Sequence, residues 1–250
     1  MMKTILKQLS LKQFALGMLT KWHCAIPKGS TTQYVLITVL QITSFLLQTP
    51  IAKADSPLTS TDLASAYQDL MVIDTIQEKQ PLQGEALRFL LSNAPLDEKA
   101  AVINKLGWNI DGQNNGYIFL QALAKKKGVA VNNLVLTDLT PKDKFVLGYL
   151  LAMDDYFNLS PLDTNSNNNL FSATPLDLLS QAAFAMPEDF TVHFIKSLVE
   201  AQLYFDVSWC AIYLTPQSVL RIFPTETRNL RPSAVSKTME YINLYQDNCY

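Results

Sequence analysis

The chain of 250 residues is 48% hydrophobic and 17% charged, with a formal charge of −2. That average conceals a division: residues 1–54 hold six lysines (Lys3, Lys7, Lys12, Lys21, Lys28, Lys53) and no acidic residue, whereas residues 55–250 hold all 22 acidic residues against 14 Lys and Arg, a charge of −8. A domain that acidic is electrostatically unsuited to nucleic acid or to an anionic membrane surface, and an address segment ahead of a mature domain accounts for the segregation.

The address is expected over residues 1–54. A basic region precedes the apolar stretch 34–47 (YVLITVLQITSFLL), and Ala52-Lys53-Ala54 supplies the small residues of a cleavage site after Ala54. As a helix the apolar stretch would reach about 21 Å, short of the roughly 30 Å hydrocarbon core. A cleaved export signal is therefore preferred to an uncleaved anchor, which places the mature protein in the periplasm or outside the cell. The basic region is long, so translation starting at Met18 is one alternative. A bipartite signal to an organelle lumen is another, although the segment contains no Arg. No membrane contact is expected once the signal is removed. Cysteine usage agrees with export: Cys24 leaves with the signal, and Cys210 and Cys249 remain as an even pair in an oxidising compartment. A bridge between them would close a loop of about 40 residues, worth roughly 4 kcal/mol in the chain-entropy model. No Cys-x-x-Cys spacing suggests redox activity.

The mature chain reads as helices opened by proline. Ser56-Pro57, Gln80-Pro81, Ala94-Pro95, Thr140-Pro141, Ser160-Pro161, Thr174-Pro175, Met186-Pro187, Thr215-Pro216 and Arg231-Pro232 share one grammar, in which proline takes the first turn and a nearby acidic side chain suits the dipole. Their irregular spacing argues against a repeat array. Periodicity and caps predict helices over 61–77, 82–92, 95–106 ending at Gly107, and 117–127 ending at Gly128. The lysines 125–127 then serve the last turn of a helix. Residues 129–136 read as an extended connector. The stretch 141–157 follows, apolar from Phe145 to Met153 except at Gly148, and a helix apolar nearly all round is buried nearly all round. Residues 158–174 form an Asn-rich loop or hinge. Helices over 175–185, 187–213, 216–222 and 232–245 complete the chain. The expectation is a single all-α domain over 55–250, an irregular multi-helix bundle around a buried central helix at about 141–157.

Two stretches bear on chemistry. Residues 111–122 (DGQNNGYIFLQA) resemble the loop of an EF-hand calcium site. The resemblance implies Asp111, Gln113 and Asn115 as metal ligands, Gly116 as the turn and Tyr117 as the carbonyl donor. It departs at the third position, where Gln113 stands, and at the twelfth, where Ala122 replaces a bidentate Glu. By residue type alone the stretch is a Gly- and Asn-rich turn between helices. Asp154-Asp155-Tyr156-Phe157-Asn158 is similar to the aspartate-rich magnesium motif of terpene synthases, which would make Asp154, Asp155 and Asn158 ligands. The order relative to a second acidic stretch, Asp62 to Asp69, is reversed from that family. Taken by themselves, Asp154 and Asp155 stand at a helix C-terminus, where negative charge is disfavoured; either the helix ends there and they turn to solvent or cap the following turn, or they form a polar site beside Tyr149 and Tyr156.

Hydrolase signatures are absent: no Gly-x-Ser-x-Gly, no His-Glu-x-x-His and no phosphate-binding glycine loop. His193, the one histidine after residue 54, reads as a partly buried residue of a helix. The expected role is a non-catalytic exported protein that binds another protein or a small ligand between helices, with no cofactor. The alternatives are an enzyme using Asp154 and Asp155 as acid and base or as metal ligands, and a calcium-binding module at 111–122.

Overall fold

A 3-10 turn over Ala64–Tyr67 leads into α1 (Met71–Asp74), α2 (Gly84–Leu90), α3 (Leu96–Leu106) and α4 (Asn115–Lys127). Two further 3-10 turns, Val131–Asn133 and Leu136–Asp138, carry the chain to α5 (Pro141–Asp154). A long loop precedes α6 (Pro175–Ala185), α7 (Phe190–Leu203), α8 (Trp209–Ile222) and α9 (Pro232–Ile242), and a last 3-10 segment spans Asn243–Cys249. This computed structural model describes residues 56–249. The expected address segment, with its 34–47 stretch and its cleavage point after Ala54, lies outside the described residues. Among those residues there are nine α-helices and no strand, so the protein is all-α.

The centre is α5. Its start is set locally: the Thr140 hydroxyl accepts the Asp143 N–H at 3.1 Å, the Asp143 carboxylate accepts the Thr140 N–H at 3.0 Å, and Pro141 fills the first helical position. Thr174, Pro175 and Asp177 repeat this arrangement at the start of α6. From Phe145 to Asp154 every residue of α5 is buried, and α3, α4, α6 and α7 pack around it. Each fully buried large side chain contributes roughly 1.5–3 kcal/mol. The helix stops at Asp154, three residues before the expected end.

The contact with α6 is close because Gly148 has no side chain. A Cβ there would lie 2.9 Å from Leu179 Cγ and 3.0 Å from the Pro175 carbonyl oxygen. We expect Gly148→Ala to destabilise the protein by about 1 kcal/mol, since overpacking of about 1–3 kcal/mol exceeds the roughly 1 kcal/mol gained in helix propensity. Urea denaturation checks this; a variant as stable as the parent would show that α6 retreats without cost.

Elsewhere tertiary contacts overrule local expectation. The helix expected over 61–77 is broken at Leu70, which is extended (φ −82°, ψ 116°). Tyr67 accounts for the break. Its side chain is fully buried, its hydroxyl donates to Asp97 at 2.9 Å and accepts the Arg231 N–H at 3.2 Å, and burial holds it protonated well above the usual phenol range. The Arg231 guanidinium stacks 4.2 Å from the Tyr67 ring and pairs with both oxygens of Asp69. These anchors from the start of α9 outweigh the helical periodicity of 61–77, since tertiary contacts override weak local propensity.

The single helix expected over 187–213 is two helices. Asp189, not Pro187, opens α7 by accepting the Val192 N–H at 3.1 Å, and Ser208 opens α8 by accepting the Ala211 N–H at 3.3 Å. Pro216, expected to begin a helix, lies buried inside α8. There it removes one intrahelical donor, which the packing of α8 on α7 and on the 243–249 segment offsets. The last helix ends at Ile242 rather than 245, and the 3-10 segment beyond it brings Cys249 to disulfide distance from Cys210, with Cα atoms 4.7 Å apart. Residues 129–136 include a 3-10 turn as well as extended positions. Lys99 is buried beside the end of α2, where its ammonium donates to the Leu90 and Ser92 carbonyls at 2.8 and 2.7 Å. Burial pushes its pKa down to about 8.

Candidate functional site

Asp154 and Asp155 are adjacent in sequence but serve different partners. Asp154 is the last residue of α5 and is 5% exposed. Its Oδ2 accepts the Gly116 N–H at 2.7 Å, and its carbonyl oxygen accepts the Gln113 N–H at 3.0 Å. The carboxylate thus takes the place of an N-cap for α4, whose own cap residue Asn114 makes no side-chain cap bond. The approach is possible because position 116 is glycine: a Cβ there would lie 2.5 Å from Leu151 Cδ2. Burial raises the Asp154 pKa from an ordinary 3.8 to about 6, against the opposing pull of the Gly116 and Asn115 backbone N–H groups. Asp155, half-buried, accepts the Asn158 N–H at 3.2 Å and its Nδ2 at 3.1 Å, capping the turn that follows.

The residues singled out in 111–122 are drawn into the same junction. Asn115 is buried at the start of α4; its Oδ1 accepts the Leu82 N–H at 2.7 Å and its Nδ2 donates to Gln113 Oε1 at 2.8 Å. Asp111 is exposed. The side-chain oxygens of Gln113 and Asn115 thus accept hydrogen bonds within the chain, and Gly116 lies in the first turn of α4 rather than at a loop apex. Among the described residues no three His, Cys, Asp or Glu side chains gather as metal ligands would. His193 packs its ring 5.2 Å from that of Phe223.

A groove that sequence reasoning missed lies at the end of α3. Its volume is about 320 Å³. Leu58, Ile73 and Met153 of the core form its floor, and Asp62, Glu78, Lys79, Lys105 and Trp108 stand among its rim residues. Asn104 builds one wall by holding the 61–64 backbone: its Oδ1 accepts the Ala64 N–H and its Nδ2 donates to the Thr61 carbonyl, both at 2.9 Å. The opposite wall follows from the end of α3. The Lys79 N–H donates to the Leu106 carbonyl at 2.9 Å, and Gly107, at φ +71°, turns the chain so that Trp108 follows. The Trp108 ring meets Tyr156 edge-on at 5.0 Å, and the Lys79 ammonium stands 5.3 Å from the Trp108 ring. Glu78 pairs with Lys105 at 2.9 Å, and Asp62 accepts the Ser65 N–H at 3.1 Å. The only local hint was a tryptophan directly after a helix-ending glycine; the floor comes from residues as distant as Met153.

The fold and the groove together define an all-α protein with an amphipathic recess walled by the start of the described chain and the end of α3. The chain matches no protein-family model, no curated protein and no solved structure in the three comparisons made.

Proposed function

We propose that this is an exported, non-catalytic helical binding protein that takes a small ligand in the groove beside Trp108. The observation that carries the reading is the groove itself: about 320 Å³, within the size range of small-molecule clefts, with apolar and convergent polar groups on its walls. Acid–base catalysis has less support, because Asp154 is engaged in capping α4 and Asp155 in capping the turn at Asn158. The segregated charge of residues 1–54 and the Cys210–Cys249 pair favour export. No helix among the described residues is long and apolar enough to cross a membrane.

The test uses Trp108 as its own reporter. The chain has three tryptophans, so Trp22→Phe with Trp209→Phe leaves Trp108 alone. Compounds that raise the melting temperature by linkage are expected to shift or quench its emission saturably. Stabilising ligands that leave Trp108 emission unchanged would place binding elsewhere.

A further inference from the structure

Six described residues have positive φ. Four are glycines (Gly84, Gly107, Gly112, Gly128), and the two that are not are Lys79 (φ +65°) and Leu159 (φ +51°). A side chain in this region is strained, and glycine is the default. Leu159 recovers the cost in the core, where it is 5% exposed. Lys79 is exposed, and no carboxylate of the described residues pairs with its ammonium. The two acidic side chains on the groove have other partners: Glu78 is held by Lys105 and Asp62 by the Ser65 N–H. At this strained position the Lys79 N–H donates to the Leu106 carbonyl, and that turn holds the ammonium over the indole of Trp108 at the groove.

We infer that Lys79 and Trp108 are the recognition pair of the groove, and that its ligand is a small organic anion, a carboxylate or sulfonate, on an apolar or aromatic body. Lys79 meets the anionic group and Trp108 offers its face to the body, above the floor of Leu58, Ile73 and Met153. A strained backbone kept for its side chain is a recurrent property of binding sites. A tryptophan placed under the ammonium steers that charge by cation–π attraction while leaving its N–H donors available. The inference rests on the groove reading above and specifies its chemistry.

The experiment uses two probes that differ by one charge: 8-anilinonaphthalene-1-sulfonate and its uncharged parent N-phenyl-1-naphthylamine. Each is titrated against the full chain carrying Trp22→Phe and Trp209→Phe, with quenching of Trp108 as the readout. The sulfonate is expected to bind at least tenfold more tightly than the neutral probe, as a charge-assisted contact predicts. Lys79→Gly and Lys79→Glu should remove that advantage, Lys79→Arg should keep it, and Lys125→Glu, in the last turn of α4, should leave it unchanged. Because glycine relieves the strain at this position, Lys79→Gly should melt no lower than its parent. Equal affinities for the two probes, or sulfonate binding that survives Lys79→Gly and Lys79→Glu, would overturn the anion inference while leaving the groove as a binding site. A Lys79→Gly variant that melts several degrees lower yet retains sulfonate affinity would assign Lys79 to folding, and likewise overturn it. Failure of both probes to quench Trp108 would sink the inference and the groove reading together.

Discussion

Cys249→Ser is expected to lower the free energy of unfolding by about 4 kcal/mol and the melting temperature by roughly 10 °C. A bridge to Cys210, whose Cα lies 4.7 Å away, spans 39 positions of sequence, and its loss would return that loop's conformational freedom to the unfolded chain. The folded contacts that remain are modest. The 243–249 segment packs on α8 and α9, and Tyr245 meets Trp209 at 6.2 Å. Cys210→Ser should cost the same, and the double variant no more than either single one, because one covalent link is lost in each case. Adding reductant to the parent should reproduce the loss. The check is urea denaturation of parent, single and double variants. A change under 1 kcal/mol would mean that the C-terminal segment is held by packing alone.

Asp154→Asn has its largest effect above pH 6: relative to the parent it is expected to gain about 3 kcal/mol of stability as pH rises from about 3 to above 6. Burial raises the carboxyl pKa from 3.8 to about 6, so the folded state holds this proton more tightly than the unfolded chain does. The contribution of Asp154 is therefore most favourable below about pH 4. It is lost progressively as pH rises from about 4 to about 6, and the penalty is felt in full above that. An asparagine side chain keeps an oxygen for the Gly116 N–H and carries no charge. The difference in stability between variant and parent should accordingly grow by about 3 kcal/mol between pH 3 and pH 7.5. Asp154→Ala also removes the charge but leaves the start of α4 uncapped, so it should be less stable than Asp154→Asn at every pH by about 1 kcal/mol. Urea midpoints across this pH range check both statements. A difference that does not change with pH would show that the carboxylate is solvated in the folded state.

Helix identity was legible wherever a local rule decided it. Thr140-Pro141 with Asp143, Thr174-Pro175 with Asp177, and the helix-ending Gly107 and Gly128 lie where these residue types predict, since a cap involves groups only three or four positions apart. Burial of α5 was legible for the same reason: its residues are apolar on every side, whatever the neighbours are. The boundaries failed where a distant group intervened. Leu70 breaks a helix because Tyr67 and Asp69 are anchored by Arg231, more than 160 positions away. Ser208 is as good a cap as Thr140, but Pro216 marked a start more loudly, and the helix carries that proline internally.

The candidate carboxylates show the same limit. Asp154 and Asp155 look like a pair, and only the crossing of α4 over α5 at Gly116 sends one inward and leaves the other to cap a turn. Residues 111–115 read as loop chemistry, yet the oxygens of Gln113 and Asn115 are committed to Asn115 and Leu82. The groove had no local signature beyond Trp108 after the helix-ending Gly107, because its floor joins Leu58, Ile73 and Met153 and its rim depends on a left-handed Lys79. By itself the sequence determined the all-helical class and the buried central helix, because caps and apolar periodicity act locally; it offered Cys249 as a partner for Cys210 without deciding the pairing, and the fold brings the two to disulfide distance. Tertiary structure alone decided which carboxylate is buried, where the helices break and that a recess exists beside Trp108. Those features depend on close approaches between segments far apart in the chain, and no local rule encodes such distances.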